Sequence, residues 1–286
     1  MRILVAVFTA CLLAAPPAAP AAPPAPPIAP APLAAASANA ANVKDIVLKM
    51  KNTLEPTKGL RKVIITTKTG GESVQWSAAQ ASTVTADGKR MVLVLLDPPD
   101  LKGTAVLVSE TAQQAAPMWV YVPALRRVRK LVGPDAYEHF LGTDFTFADL
   151  GFVRLNSKYK LLGEEAKGDH PSYKIEETRP QDHSFYSRIV VWVAKDTHVP
   201  VQRDYYDVAG NLWKTETIDS TIVDGVPTAL HVVMKDVQTS ETTELDISAV
   251  RYDEKVPDAL FDPAQLRNAS TSPVWSAVGV PGAPGK

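Results

Sequence analysis

Cysteine is almost absent: the 286-residue chain has one, Cys11, close to the amino terminus. A disulfide framework, a thiolate metal site and a cysteine nucleophile are therefore excluded from everything that follows it. Charge of one sign is lacking too. Thirty Lys and Arg stand against 31 Asp and Glu, a formal net charge of -1, without the basic excess of a free-standing nucleic-acid binder. Catalytic motifs are missing: there is no G-x-S-x-G elbow, no phosphate-binding glycine loop, no H-E-x-x-H and no H-x-x-x-H pair. The five histidines, His139, His170, His183, His198 and His231, lie on separate segments and read as turn and strand residues rather than ligands or bases. Asp97 and Asp100, flanking Pro98-Pro99, read as a solvated turn. Neither a resident cofactor nor a metal-ligand set is legible.

What is present begins with Arg2, the apolar run Ile3 to Leu13 and then small residues, the layout of a secretory signal. The run, about eleven residues, is short of the roughly 20 that a membrane-spanning helix needs. Proline crowds the stretch from Pro16 to Pro32 among alanines, as in an extended spacer, and Ala36-Ser37-Ala38-Asn39-Ala40 offers small-residue exit sites. Residues 1–43 are thus expected to be a signal peptide and an Ala/Pro-rich spacer, with export to the periplasm. Phe8-Thr9-Ala10-Cys11 distantly resembles a lipobox, which would anchor a lipidated form through Cys11. Phe8 at an aliphatic position and the continuing run through Leu13 argue against it.

Residues 44–268 are expected to form one domain. Ile46, Val47, Met50 and Leu54 recur at helical spacing and stop before Pro56, predicting one amphipathic helix. Beyond it, thirteen segments rich in Val, Ile, Thr, Tyr and Trp, between 60 and 253, are separated by turn residues such as Gly70-Gly71, Asp87-Gly88 and Asp224-Gly225. With no helix between successive strands, a large curved antiparallel sheet is expected, mainly β with a minor α part. Thr243, Leu245, Ile247 and Ala249 alternate with polar residues, whereas Met91 to Leu96 and Ile189 to Val193 are apolar throughout. Strands of the second kind need cover on both faces.

Between Gly133 and Ser157 the strand rhythm breaks. Tyr137, Phe140, Phe145, Phe147 and Phe152 gather there in a chain only 7% aromatic, and Thr143 or Asp144 is the expected cap of a short helix. So apolar a segment must lie against the sheet, either as a fixed plug or as a movable lid. Arg126, Arg127, Arg129 and Lys130 follow the apolar strand Met118 to Pro123; they suit an anionic headgroup, an acidic partner, or a solvated edge strand guarded by its charges. Leu260 and Phe261 read as anchors of a docked turn, and residues 269–286 as a disordered tail.

Several of these stretches carry a resemblance. Trp119-Val120-Tyr121-Val122-Pro123-Ala124-Leu125-Arg126-Arg127-Val128-Arg129 and Gly142-Thr143-Asp144-Phe145-Thr146-Phe147-Ala148-Asp149-Leu150 resemble two signature stretches of the outer-membrane lipoprotein-sorting protein family, the LolA-like proteins. Tyr186 to Val193, Val199 to Arg203 and Tyr206 to Gly210 are similar to that family in the same order, so the likeness spans Asp45 to Leu266. Thr143 stands where the family has serine and Phe147 where it has tyrosine. The resemblance implies an unclosed antiparallel half-barrel, with the amino-terminal helix and a short helical lid on its concave apolar face. It also implies a periplasmic, non-enzymatic role in carrying lipoproteins or lipids, with an inner-membrane exporter and an outer-membrane acceptor as partners.

On these two lines of reading the expected cavity wall comprises Trp76, Val92, Val94, Leu96, Trp119, Tyr121 and Trp192. The lid comprises Phe145, Phe147, Leu150 and Phe152, and Arg126, Arg127 and Arg129 contact a headgroup or partner. Because the central strands are apolar on both faces, the face that points inward stays open. The leading reading is a carrier that binds acyl chains for transfer towards the outer membrane. Its rivals are a sensor that binds mislocalised lipoproteins and signals through a partner, and an enzyme acting on envelope lipids, which the missing nucleophile disfavours.

Overall fold

The computed structural model describes residues 33–54, 58–85, 88–111, 117–150, 157–179 and 185–280. Among them one α-helix, α1 (Leu33–Leu54), precedes thirteen strands: β1 (Gly59–Thr69), β2 (Glu72–Thr85), β3 (Gly88–Asp97), β4 (Ala105–Thr111), β5 (Met118–Val122), β6 (Arg127–Leu131), β7 (Lys158–Lys167), β8 (His170–Thr178), β9 (Arg188–Ala194), β10 (Pro200–Tyr206), β11 (Leu212–Val223), β12 (Val226–Asp236) and β13 (Thr242–Tyr252). They form one antiparallel sheet in the order β6-β5-β4-β3-β2-β1-β13-β12-β11-β10-β9-β8-β7. Two meanders run outward from the β1–β13 pair, so the edges are β6 and β7, which do not pair. The expected mainly-β, unclosed half-barrel is therefore the architecture.

This topology gives the chain between β6 and β7 a special course. It must travel from one edge of the sheet to the other, and thirteen strands about 4.8 Å apart would span about 58 Å if laid flat. Curling of the sheet shortens that path, and the connection lies across one face as a strap. Hereafter that face is the inner one.

The inner face of β1–β5 buries Val63, Ile65, Trp76, Met91, Leu93 and Leu95, among others, against Phe140 and Phe147 of the strap. On the other half, Ile189, Val191, Val193, Ile218 and Met234 pack against Val43, Ile46, Val47 and Met50 of α1 and against Tyr137 and Phe145 of the strap. The helical spacing of the α1 residues is what lets them share one stripe. At its carboxyl end Lys51 reaches β4 through an ion pair with Glu110 at 2.6 Å.

Two expectations are corrected here. α1 begins at Leu33, inside the segment read as spacer, because alanine is the best helix former and no proline occurs between Pro32 and Pro56. The carboxyl end, expected to be disordered from Ala269, continues as 3-10 turns, Pro263–Thr271 and Pro273–Val278. Trp275 is 1% exposed and donates its indole N–H to the Ala269 carbonyl at 2.7 Å. With Leu260, Phe261, Leu266 and Val278 it covers the outer face of β2–β4 over Val92, Val94 and Leu107. Burying an indole outweighs the ordering cost that the polar composition of this tail suggested.

Candidate functional site

The strap is folded on itself before it touches the sheet. Leu141 and Gly142 both take left-handed backbone angles, φ 52° and 79°, which reverse the chain so that the Phe140 N–H donates to the Phe145 carbonyl at 2.8 Å. The Thr143 hydroxyl donates to the Phe140 carbonyl at 2.7 Å inside this turn, so it caps no helix. The capping pair is instead Thr146, just before a single 3-10 turn, Phe147–Leu150, and Asp149 within it. The Thr146 N–H donates to Asp149 Oδ2 at 2.8 Å and the Asp149 N–H to Thr146 Oγ1 at 3.3 Å, the reciprocal arrangement of a capping box. His139 Nδ1 donates to the Thr143 carbonyl at 2.8 Å, a structural role.

Polar ties then stitch the strap to the far half of the sheet. The Lys214 side chain on β11 is 0% exposed, and its ammonium donates to the Asp144 carbonyl at 2.8 Å and to the Tyr186 hydroxyl at 3.0 Å, with Asp149 Oδ2 at 3.5 Å. The Tyr186 hydroxyl donates to Asp149 Oδ2 at 2.9 Å. β11 carries a bulge against β10 at this point, and Trp213 also lies under the strap, with the Lys214 ammonium 4.5 Å from its ring centroid. Burial, and next the Asp149 carboxylate, push the Tyr186 hydroxyl well above the usual phenol value, so it remains a donor.

Beside this stitch a cavity of about 230 Å³ opens between sheet, strap and helix. Met50, Met91, Ile189, Val191 and Leu150 supply apolar wall. Arg61, Arg179, Arg203, Glu177 and Tyr205 supply polar wall. Arg203 donates to Glu216 Oε2 at 2.7 Å, as does the Tyr205 hydroxyl at 2.7 Å. Arg179 Nε donates to Glu177 Oε1 at 2.6 Å. Burial works against the charge on both of these guanidiniums, but the carboxylates beside them outweigh it and hold their pKa values above the usual.

The expected site residues divide unequally over this geometry. Trp76 lies on the inner face beneath the strap. Val92, Val94, Leu96, Trp119 and Tyr121 lie on the outer face, under the carboxyl-terminal turns. Trp192 also faces outward, between Lys167 and Lys174, whose ammonium groups are 4.4 Å and 4.9 Å from its ring, while its neighbours Val191 and Val193 point in. The inner wall is built by the alternate residues, Met91, Leu93, Leu95, Met118 and Val120; a shift of one along a strand exchanges the faces. Phe145, Phe147 and Leu150 are in the strap on the inner face, and Phe152 lies outside the described residues. Phe147 packs edge-on to Phe140 at 5.5 Å. Arg126, Arg127, Arg129 and Lys130 are grouped at the sheet edge, where Arg129 pairs with Glu138 at 3.1 Å and Leu125 is exposed.

Sequence reading missed Lys214, Glu216, Arg203, Glu177 and Arg61, charged residues that point inward. In a strand such side chains ordinarily mark the wet face. Arg61 left a trace, standing in step with the apolar Val63 and Ile65 on β1, as did Glu177 with Tyr173 and Ile175 on β8.

Comparison with known proteins follows the same lines. A family model described as that of an uncharacterized protein matches residues 87–268. No curated protein matches the chain. Among solved structures, a DUF1329 family protein from Desulfovibrio piger is 27% identical, with a TM-score of 0.75 over 80% of this chain and 99% of that one. An outer-membrane lipoprotein-sorting protein domain from Vibrio parahaemolyticus is 25% identical, again at 0.75, over 80% and 100%. A LolA superfamily protein from Nitrosomonas europaea, 19% identical with a TM-score of 0.62 over 77% and 97%, shares the fold. The chain thus belongs to the family of uncharacterized proteins whose model it matches over residues 87–268, and it has the fold of the outer-membrane lipoprotein-sorting, LolA-like proteins.

Proposed function

We propose that this protein is a periplasmic carrier that shields the acyl chains of a lipid or lipoprotein between its sheet and its strap, on the way to the outer membrane. The observation that carries the reading is the strap itself: Phe145, Phe147 and Ala148 cover the apolar inner face while hanging from the two unpaired edges of an open sheet. An acyl chain of about sixteen carbons is held in a membrane by on the order of 10 kcal/mol. A soluble carrier must match most of that with buried apolar wall. The cavity, about 230 Å³, is smaller than the roughly 300–1,000 Å³ of pockets for drug-sized ligands. Loading therefore requires the strap aromatics to give up their places to the cargo. The exchange is affordable because one set of apolar contacts replaces another.

An exporter in the inner membrane and an acceptor at the outer membrane are the partners this role requires, and the amino-terminal signal would deliver the chain to the compartment between them. The basic edge at Arg126, Arg127 and Arg129, beside the exposed Leu125, suits contact with a headgroup or with one of those partners. Native mass spectrometry with lipid extraction of periplasmic protein tests the reading. Wild type is expected to carry a lipid or acylated peptide, and Phe145→Asp to carry less. A folded wild-type protein that neither co-purifies with lipid nor extracts it from vesicles would sink the proposal.

A further inference from the structure

The charges around the cavity do not balance. Arg179 is matched by Glu177, Arg203 by Glu216, and Asp149 by Lys214. Arg61 lines the same cavity, yet among the described residues no carboxylate lies within ion-pair distance of it. Arg61 is half-buried, and a guanidinium partly withdrawn from water without a counter-charge carries a desolvation cost. Burial accordingly pushes the Arg61 guanidinium below its usual pKa. Arg179, which also lines the cavity, has its Nη1 buried with no hydrogen-bond partner among the described residues.

The backbone opposite Arg61 is specialised as well. β13 carries one extra residue against β1 between Leu60 and Lys62, and Ala249 in that bulge has a left-handed φ of 49°. Alanine pays for that conformation with roughly 1–2 kcal/mol, and bulges of this kind re-aim neighbouring side chains. Met50, Met91, Ile189 and Val191 line the same cavity. The cavity therefore combines apolar wall with an arginine that no carboxylate of the described residues matches.

We propose that Arg61 is the docking point for the anionic end, a carboxylate or a phosphate ester, of an acidic amphiphile whose aliphatic chain runs under the strap. This rests on the carrier reading and narrows it, favouring an acidic lipid over the uncharged acyl-glyceryl end of a lipoprotein. A planar guanidinium accepts either anion through two parallel hydrogen bonds. The ligand supplies the counter-charge that no described residue provides, so the empty state carries the cost and the loaded state removes it.

The test is a binding panel on the delipidated full-length protein, read by displacement of a fluorescent acyl probe. Hexadecanoate and hexadecyl phosphate are compared with hexadecanol of the same chain length, and inorganic phosphate is used for the head alone. Wild type is expected to prefer both anions to the alcohol by about tenfold or more. In Arg61→Gln that preference disappears while hexadecanol binds as before, and Arg61→Lys retains part of it. Equal binding of acid and alcohol by wild type, or an undiminished preference in Arg61→Gln, overturns the proposal and leaves the carrier reading standing. Failure of every sixteen-carbon compound to bind overturns both. Inorganic phosphate binding as tightly as hexadecyl phosphate would mark a free-anion site and also overturn it. If Arg61→Gln does not fold, the wild-type panel and Arg61→Lys still decide.

Discussion

Asp144 of the strap and Thr243 of β13, 99 residues apart in the chain, bond each other twice: the Asp144 N–H donates to Thr243 Oγ1 at 2.9 Å, and that hydroxyl donates to Asp144 Oδ2 at 2.8 Å. Both residues are buried. The pair ties the tip of the strap to the middle of the sheet, where the two meanders meet.

A cross-link at this pair tests whether the strap must lift. The chain has no cysteine after Cys11, so Asp144→Cys with Thr243→Cys adds the only thiols of the folded body. Oxidation is expected to abolish uptake of a fluorescent acyl probe, and reduction to restore it. Undiminished uptake by the oxidised protein, with bond formation verified by mass, would mean that cargo enters without strap movement.

The same pair predicts a pH dependence. Burial pushes the Asp144 carboxyl above the usual aspartate value, although the Thr243 hydroxyl opposes the shift. A group whose pKa is raised by folding binds its proton more tightly in the folded state. Its stabilising share is complete below the unfolded value, about 3.9, and is lost as pH rises through the folded value. The stability difference between wild type and Asp144→Asn should therefore shift in favour of the variant as pH is raised from 3 to 7, by urea unfolding. A constant difference across that range would refute the assignment.

Lys214 and Asp149 make up the deeper tie. Lys214→Met leaves the Asp149 carboxylate buried without its cation, a loss expected to be about 3–5 kcal/mol in chemical unfolding. Adding Asp149→Leu removes the orphaned charge and should recover part of that loss. A double variant no more stable than Lys214→Met would show that the pair does not act as a unit.

Trp275→Ala tests the carboxyl-terminal cover. Emptying a buried indole site costs about 3–5 kcal/mol, and hydrogen exchange should rise in β3 and β4, whose outer-face residues Val92, Val94 and Leu107 it helps to cover. Exchange confined to residues 263–280 would indicate a cover that stabilises only itself.

Much of this molecule could be read without coordinates. Thirteen strands and the amphipathic stripe of α1 follow from period-2 and period-3.6 spacing, which are local properties of the chain. The aromatic break between Gly133 and Ser157 announced the strap, because so apolar a loop has to be covered. The family resemblance rested on stretches that fall on β5, β6, the strap, β9 and β10.

What the tertiary structure alone decided is which side of each strand faces the cavity. Met91 to Leu96 is apolar at every position, so alternation is silent there. The choice fell to the partners that dock: the strap and α1 took the face of Met91, Leu93 and Leu95, and the carboxyl-terminal turns took that of Val92 and Val94. The inward charges were hidden for the same reason. Lys214, Glu216 and Arg203 look like a wet face until partners from elsewhere in the chain satisfy them: the Asp149 carboxylate and the Asp144 carbonyl for Lys214, and the cross-strand Arg203–Glu216 contact. Spacing along the chain specifies strands and helices, but pairing across it determines which of their faces is the inside.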